Sequence, residues 1–171
     1  MAISMYTASV PTFQHMLRNL AHILDKGEAH AQARKFDPAA LTQFRLAPDM
    51  LPFTRQIIIA CDAAKNGVAR ISGVEAPRFE DTETTFAELK ARVQKTLDYL
   101  ATVPAQAMEG TEDKDITFPV GRETTRTMKG EAYLKHWALP NFFFHISMAY
   151  AILRHNGVEL GKSDYLAGAR A

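Results

Sequence analysis

The sequence predicts an all-α domain: a four-helix bundle with a short β-hairpin ahead of the last helix. Three observations carry this. Four separate segments place apolar residues on one face at helical spacing. Long polar connections join them, as in bundles with crossover loops. The run from Trp137 to Leu153, WALPNFFFHISMAYAIL, holds no Asp, Glu, Lys or Arg, so a helix built from it should be buried on all sides.

The first helix is expected from about Thr7 to Lys35, with Phe13, Leu17, Leu20, Leu24, Gly27 and Ala31 on its inner face. His15 and His22 fall on the opposite, polar face, where solvent or a subunit contact is their simplest setting. Phe36-Asp37-Pro38 ends the helix, and residues 39–51 form a connector. The second helix opens near Pro52, a residue suited to a first turn, and Ser72-Gly73 terminates it. Phe53, Ile57, Ala60, Ala64, Val68 and Ile71 line its inner face, with Gln56 at the edge. Ile58 and Ile59 point elsewhere, so another helix or a partner subunit must cover them. Residues 74–83 form a polar crossover. Thr85-Phe86-Ala87-Glu88 has capping-box spacing and starts a third helix, whose stripe is Phe86, Leu89, Val93, Leu97 and Leu100, with Pro104 beyond its end. Ile116, Phe118 and Val120 then alternate, Gly121-Arg122 can turn, and a Thr-rich segment follows, the pattern of a β-hairpin. The last helix runs from about Gly130, with a break or kink at Pro140, and Arg154-His155-Asn156-Gly157 closes it.

The totals bound the class. A chain of 171 residues, 47% hydrophobic and 23% charged, fits a single domain, residues 1–171, able to bury a substantial core. With 20 basic and 19 acidic residues the net charge is +1, which argues against nucleic acid or anionic membrane as a partner. Cys61 is the only cysteine, so no intrachain disulfide can form. The segment MAISMYTASV lacks the basic region and apolar core of a signal peptide, and the two together favour a reducing cytoplasm. The apolar run near the end is shorter than the roughly 20 residues of a membrane span and contains Pro140, Asn141 and His145, so a buried helix fits it better.

Within that run Asn141 and His145 stand four apart and therefore share a helix face. PNFFFHISMAYAILRHNG, together with RQIIIACDAAKNGVARISG in the second helix, resembles a bacterial domain-of-unknown-function family within the DinB/YfiT-like metalloenzyme superfamily. The likeness extends from LRNLAHILDKGEAHA to the Gly-Val-Glu-Leu-Gly tail. It implies a DinB-like four-helix bundle, often dimeric. In metal-binding members a histidine of the second helix and an H-x-x-x-H pair of the last helix hold a divalent metal. Aligned on Leu153-Arg154, that pair appears here as Asn141 and His145. No histidine occurs between His30 and His136, and Gln56 is assigned to the second-helix position.

That substitution changes the chemistry, because carboxamides are poor ligands for zinc, nickel or iron. No cofactor is expected; a weakly bound zinc or nickel ion held by His145 and Asn141 is the one that stays open. Two readings of the trio Gln56, Asn141 and His145 stand. In one they line a ligand site, with His145 as a candidate general base. In the other, Asn141 and His145 are a buried polar pair whose amide and imidazole satisfy each other or Gln56. His136 is expected to be partly exposed, and His155 suits the end of a helix. Cys61 has no basic neighbour to activate it and reads as core. Arg55, Asp62, Lys65 and Arg70 could meet an anion, with surface ion pairs the ordinary alternative. The phenylalanines Phe142 to Phe144 read as core or as pocket wall. No phosphate-binding glycine loop, G-x-S-x-G, H-E-x-x-H or C-x-x-C is present. The expected function is a DinB-like small-molecule-binding or stress-related protein with a degenerate metal site. Two alternatives are a metal-dependent, thiol-type transferase and a non-catalytic bundle that dimerises through Ile58 and Ile59.

Overall fold

Four long helices carry the fold of the computed structural model, which describes residues 3–121 and 123–168. Helix α1 spans Met5–Arg34, followed by a single turn, α2, at Ala39–Thr42; α3 spans Phe53–Ser72 and α4 spans Phe86–Thr102. Strands β1, Asp115–Val120, and β2, Thr124–Lys129, pair antiparallel with Asp115 opposite Lys129. Arg122, assigned to the hairpin turn, lies outside the described residues. A short α5, Gly130–Tyr133, leads through a π turn, Leu134–Ala138, into α6, Leu139–His155, and α7, Lys162–Ala167, closes the described chain. Helix α3 packs between α4 and α6, and α1 lies against α4.

Local chemistry sets the helix ends. Ser4 accepts a hydrogen bond from the Thr7 N–H at 3.2 Å and opens α1. Thr85 caps α4 by accepting from the Glu88 N–H, while the Glu88 carboxylate accepts from the Thr85 N–H at 2.9 Å. The backbone N–H groups of Thr84, at 2.8 Å, and Thr85 together pull the Glu88 pKa down to about 2. Gly73 ends α3 at φ 79°, a left-handed value that a side chain resists. The core joins Phe13, Leu17 and Leu20 of α1 to Ile57 and Val68 of α3, Leu89 and Leu100 of α4, and Phe142 and Ile146 of α6. From the hairpin, Ile116 and Phe118 turn inward, the alternation its sequence predicts.

Four expectations are corrected. Pro140 does not break the last helix. The wider π turn ends just before it, so the chain coils continuously into α6 although a proline cannot donate to residue i−4. The apolar run is not buried all round: Phe144 is 53% exposed, and Phe143 and Met148 are half-buried. Ile58 is covered by its own chain, at 1% exposure, so no partner is needed there, whereas Ile59 stays half-buried. His22 is half-buried rather than solvated, because α7 lies over α1, while His15 stays exposed as expected and still meets that helix. His15 Nε2 meets the Leu166 carbonyl at 2.8 Å and His22 Nε2 meets Asp164 at 2.9 Å. Among the described residues, no helix is long and apolar enough to cross a membrane.

Candidate functional site

Helices α3 and α6 run antiparallel, which brings Gln56 at the start of one to His145 in the middle of the other. Gln56 is 2% exposed and His145 8%. His145 Nδ1 lies 2.8 Å from Gln56 Oε1. The amide orientation is fixed from its other end: Gln56 Nε2 donates to the Leu51 carbonyl at 3.0 Å, so Oε1 must face the imidazole. Nδ1 therefore carries the proton and donates it. The remaining nitrogen, Nε2, holds the lone pair and has no hydrogen-bond partner among the described residues. Burial lowers the His145 pKa below its ordinary 6.5, since desolvation disfavours the imidazolium. At neutral pH the ring is uncharged, with a single basic nitrogen.

Asn141 sits one turn earlier and opens elsewhere. It lines a cleft between α3 and α6 of about 170 Å³, together with Asp62, Asn66, Arg70, Tyr133 and Trp137. The three predicted site residues thus divide into a buried pair, Gln56 with His145, and one cleft residue. In geometry Gln56 supports the imidazole through Nδ1, as residues behind a metal ligand do, and both ends of its amide are already used. Among the described residues, no three His, Cys, Asp or Glu side chains converge as a metal site would require. One imidazole nitrogen and a neutral amide one turn away do not fit zinc or nickel, which take three or four protein ligands of greater basicity.

The ion pairs expected as the ordinary setting of Arg55, Asp62 and Lys65 do form, and they gather around an arginine that the sequence did not announce. Arg92, on the buried face of α4, is 1% exposed. Its guanidinium donates to the Glu80 carbonyl at 3.0 Å, to both Glu83 oxygens at 3.0 and 3.2 Å, to Asp62 at 3.0 Å and to Asp81 at 3.1 Å. Arg55 pairs with Asp81 at 3.0 Å. Lys65 pairs with Asp62 at 3.1 Å, donates to the Pro77 carbonyl at 3.0 Å and lies over the Phe79 ring. The cluster straps the 74–83 crossover to α3 and α4. One signal could have found it: Arg92 stands beside Val93 within the apolar stripe of α4, where a solvated arginine has no place. Cys61 lies next to this cluster, fully buried, and burial pushes its thiol up to about 12, which suits the core role expected of it. An open groove of about 590 Å³ between the crossover and α4 contains none of the predicted site residues.

Four long helices with a hairpin before the last one, and a polar site between the second and fourth, define a bundle of the DinB type. The comparisons agree. Residues 5–166 match the family described as a domain of unknown function, DUF1993. The crystal structure of a DinB family member protein from Shewanella denitrificans, at 1.83 Å resolution, is 42% identical and superimposes with a TM-score of 0.88, over 97% of this chain and 93% of that one. No match was found among curated proteins. The chain belongs to the DUF1993 family.

Proposed function

We propose that this protein is a small-molecule-binding bundle that works without a transition metal. A hydrogen-bonded pair, Gln56 with His145, stands where metal-binding DinB-like proteins carry histidines. The observation that supports the reading most is the closed pairing itself: Gln56 uses Oε1 on His145 and Nε2 on Leu51, leaving one imidazole nitrogen without a partner among the described residues. Asn141, free of this pair, contributes its amide to the adjacent cleft, and there we place the ligand. A cytoplasmic location and a homodimer belong to the same proposal. The first is supported by the single cysteine, which leaves no intrachain disulfide. The second is supported by the exposed apolar side chains of Phe144 and Leu51.

The test is elemental analysis by plasma mass spectrometry of untagged protein, wild type beside His145→Ala. No stoichiometric metal in either protein, with a loss of stability in the variant, is the expected result. One equivalent of zinc or nickel in the wild type that disappears in His145→Ala would overturn the reading and turn attention to metal-dependent transferase chemistry.

A further inference from the structure

Resting on that reading, we infer that the cleft between α3 and α6 binds a small carboxylate, held by Arg70 and the Tyr133 hydroxyl with the Asn66 and Asn141 amides beside them. Arg70 is the cation of the cleft, and among the described residues no carboxylate lies within ion-pair distance of it. Its Nη1 donates to the Tyr133 hydroxyl at 3.0 Å, leaving the other donors of the guanidinium fork unused. Tyr133 is 1% exposed, yet its hydroxyl only accepts; its own proton has no acceptor among the described residues. A buried donor without an acceptor is uncommon, and one beside an unpaired guanidinium suits an incoming anion. Asn66 and Asn141 line the same cleft, and neither amide has a hydrogen-bond partner among the described residues.

Aromatic walls and charge narrow the ligand further. Trp137 forms one side, and the Arg126 guanidinium stands 6.0 Å from its ring centroid. The acid in the lining, Asp62, is already compensated by Arg92 at 3.0 Å and Lys65 at 3.1 Å. It still opposes a dianion, so a single negative charge fits better than phosphate. Arginine's planar fork matches a carboxylate. A volume of about 170 Å³ equals roughly six waters at ~30 Å³ each and lies below the roughly 300 Å³ at which sites for drug-sized ligands begin. The ligand is therefore a small monocarboxylic acid, aliphatic or with one ring.

The experiment titrates the full chain with acetate and benzoate, and in parallel with benzamide and inorganic phosphate, following backbone and Trp137 indole resonances by NMR. Saturable shifts confined to Asn66, Trp137 and Asn141 are expected with a carboxylate. Benzamide should bind at least tenfold more weakly, because hydrogen bonds to a charged group are worth about 1.5–3 kcal/mol and 1.4 kcal/mol is tenfold. Arg70→Met should weaken binding by the same factor, and Arg70→Lys, which keeps the charge but not the fork, by less. If Arg70→Met fails to fold, Asn66→Ala, at a half-buried position, should still weaken binding several-fold. Benzamide binding as tightly as benzoate at the same residues would overturn the carboxylate assignment while leaving small-molecule binding intact. So would a preference for phosphate, or an Arg70→Met variant with unchanged affinity. No shift at the cleft with any probe would overturn the assignment too. The metal analysis of His145→Ala tests the underlying reading separately.

Discussion

If Gln56 and His145 exist chiefly to satisfy each other, removing both should cost little more than removing one. Gln56→Met leaves the His145 Nδ1–H without an acceptor at a position only 8% exposed. His145→Leu leaves Gln56 Oε1 equally orphaned. A buried polar group stranded this way costs about 1–3 kcal/mol, whereas replacing both partners by apolar groups of similar shape is close to neutral. Each single variant should therefore lose about 1–3 kcal/mol, which for a chain of this size lowers Tm by roughly 2–4 °C per kcal/mol. The double variant should recover most of one loss, a coupling of about 1–3 kcal/mol. Urea unfolding of the four proteins at neutral pH, with slopes compared as well as midpoints, measures it. Losses that add within about 0.5 kcal/mol would show that the 2.8 Å contact contributes nothing of its own, and would return His145 to the list of catalytic candidates. The pH dependence supplies an independent check. Because burial holds the native His145 pKa below 6.5, the unfolded chain binds a proton there that the native state rejects. Its contribution is intact above pH 6.5 and is lost as pH falls below it toward the native pKa. His145→Leu should flatten the stability profile in that window and, at higher pH, lower it by a constant amount without changing its slope.

Three further outcomes follow from the geometry. Arg92→Leu should destabilise by about 3 kcal/mol, the lower end for breaking a buried ion pair, because Asp62 and Asp81 are 30% and 42% exposed and can rehydrate; a thermal melt should show a Tm lower by about 6–12 °C, and a change under ~2 °C would refute the strap. Asp164, held at about pKa 2 chiefly by the Gly161 N–H, with His22 and Lys26 assisting, fastens α7 to α1; its contribution is present above the ordinary 3.8 and lost as pH falls toward 2. Asp164→Asn should raise amide hydrogen exchange across residues 161–168 while leaving α3 and α6 protected. Phe144→Glu should shift the light-scattering mass from dimer to monomer, and an unchanged monomeric mass in the wild type would remove the dimer from the proposal.

The features legible in the sequence are those written in local chemistry. Thr85 with Glu88 announces a helix start because both halves of the capping box lie within one turn, and Gly73 announces a stop because the left-handed turn excludes most side chains. Periodic stripes show which faces meet, so the bundle and its hairpin follow from pattern alone. The features that stayed hidden depend on contacts between distant segments. Arg92 draws its partners from residues 80–83 and from Asp62 on another helix, and no spacing rule joins those stretches. The π turn ahead of Pro140 is a register choice that composition does not encode.

The site shows the same division at closer range. Spacing of four correctly puts Asn141 and His145 on one face, yet such a pair is still offset by roughly 40° around the helix and about 6 Å along it. That offset separates two chemical settings. His145 lands against Gln56 near the start of α3, where the seam is closed. Asn141 lands a turn away, where Ile59, Ala63 and Asn66 leave a gap against Trp137. A histidine at position 141 would stand at the edge of that gap, a turn from the His145 lone pair, and a metal held there would need both. With an amide in that place the turn no longer has a shared ligand to bridge it. The two halves of the motif are then available for separate work, one closing the bundle and the other lining the cleft.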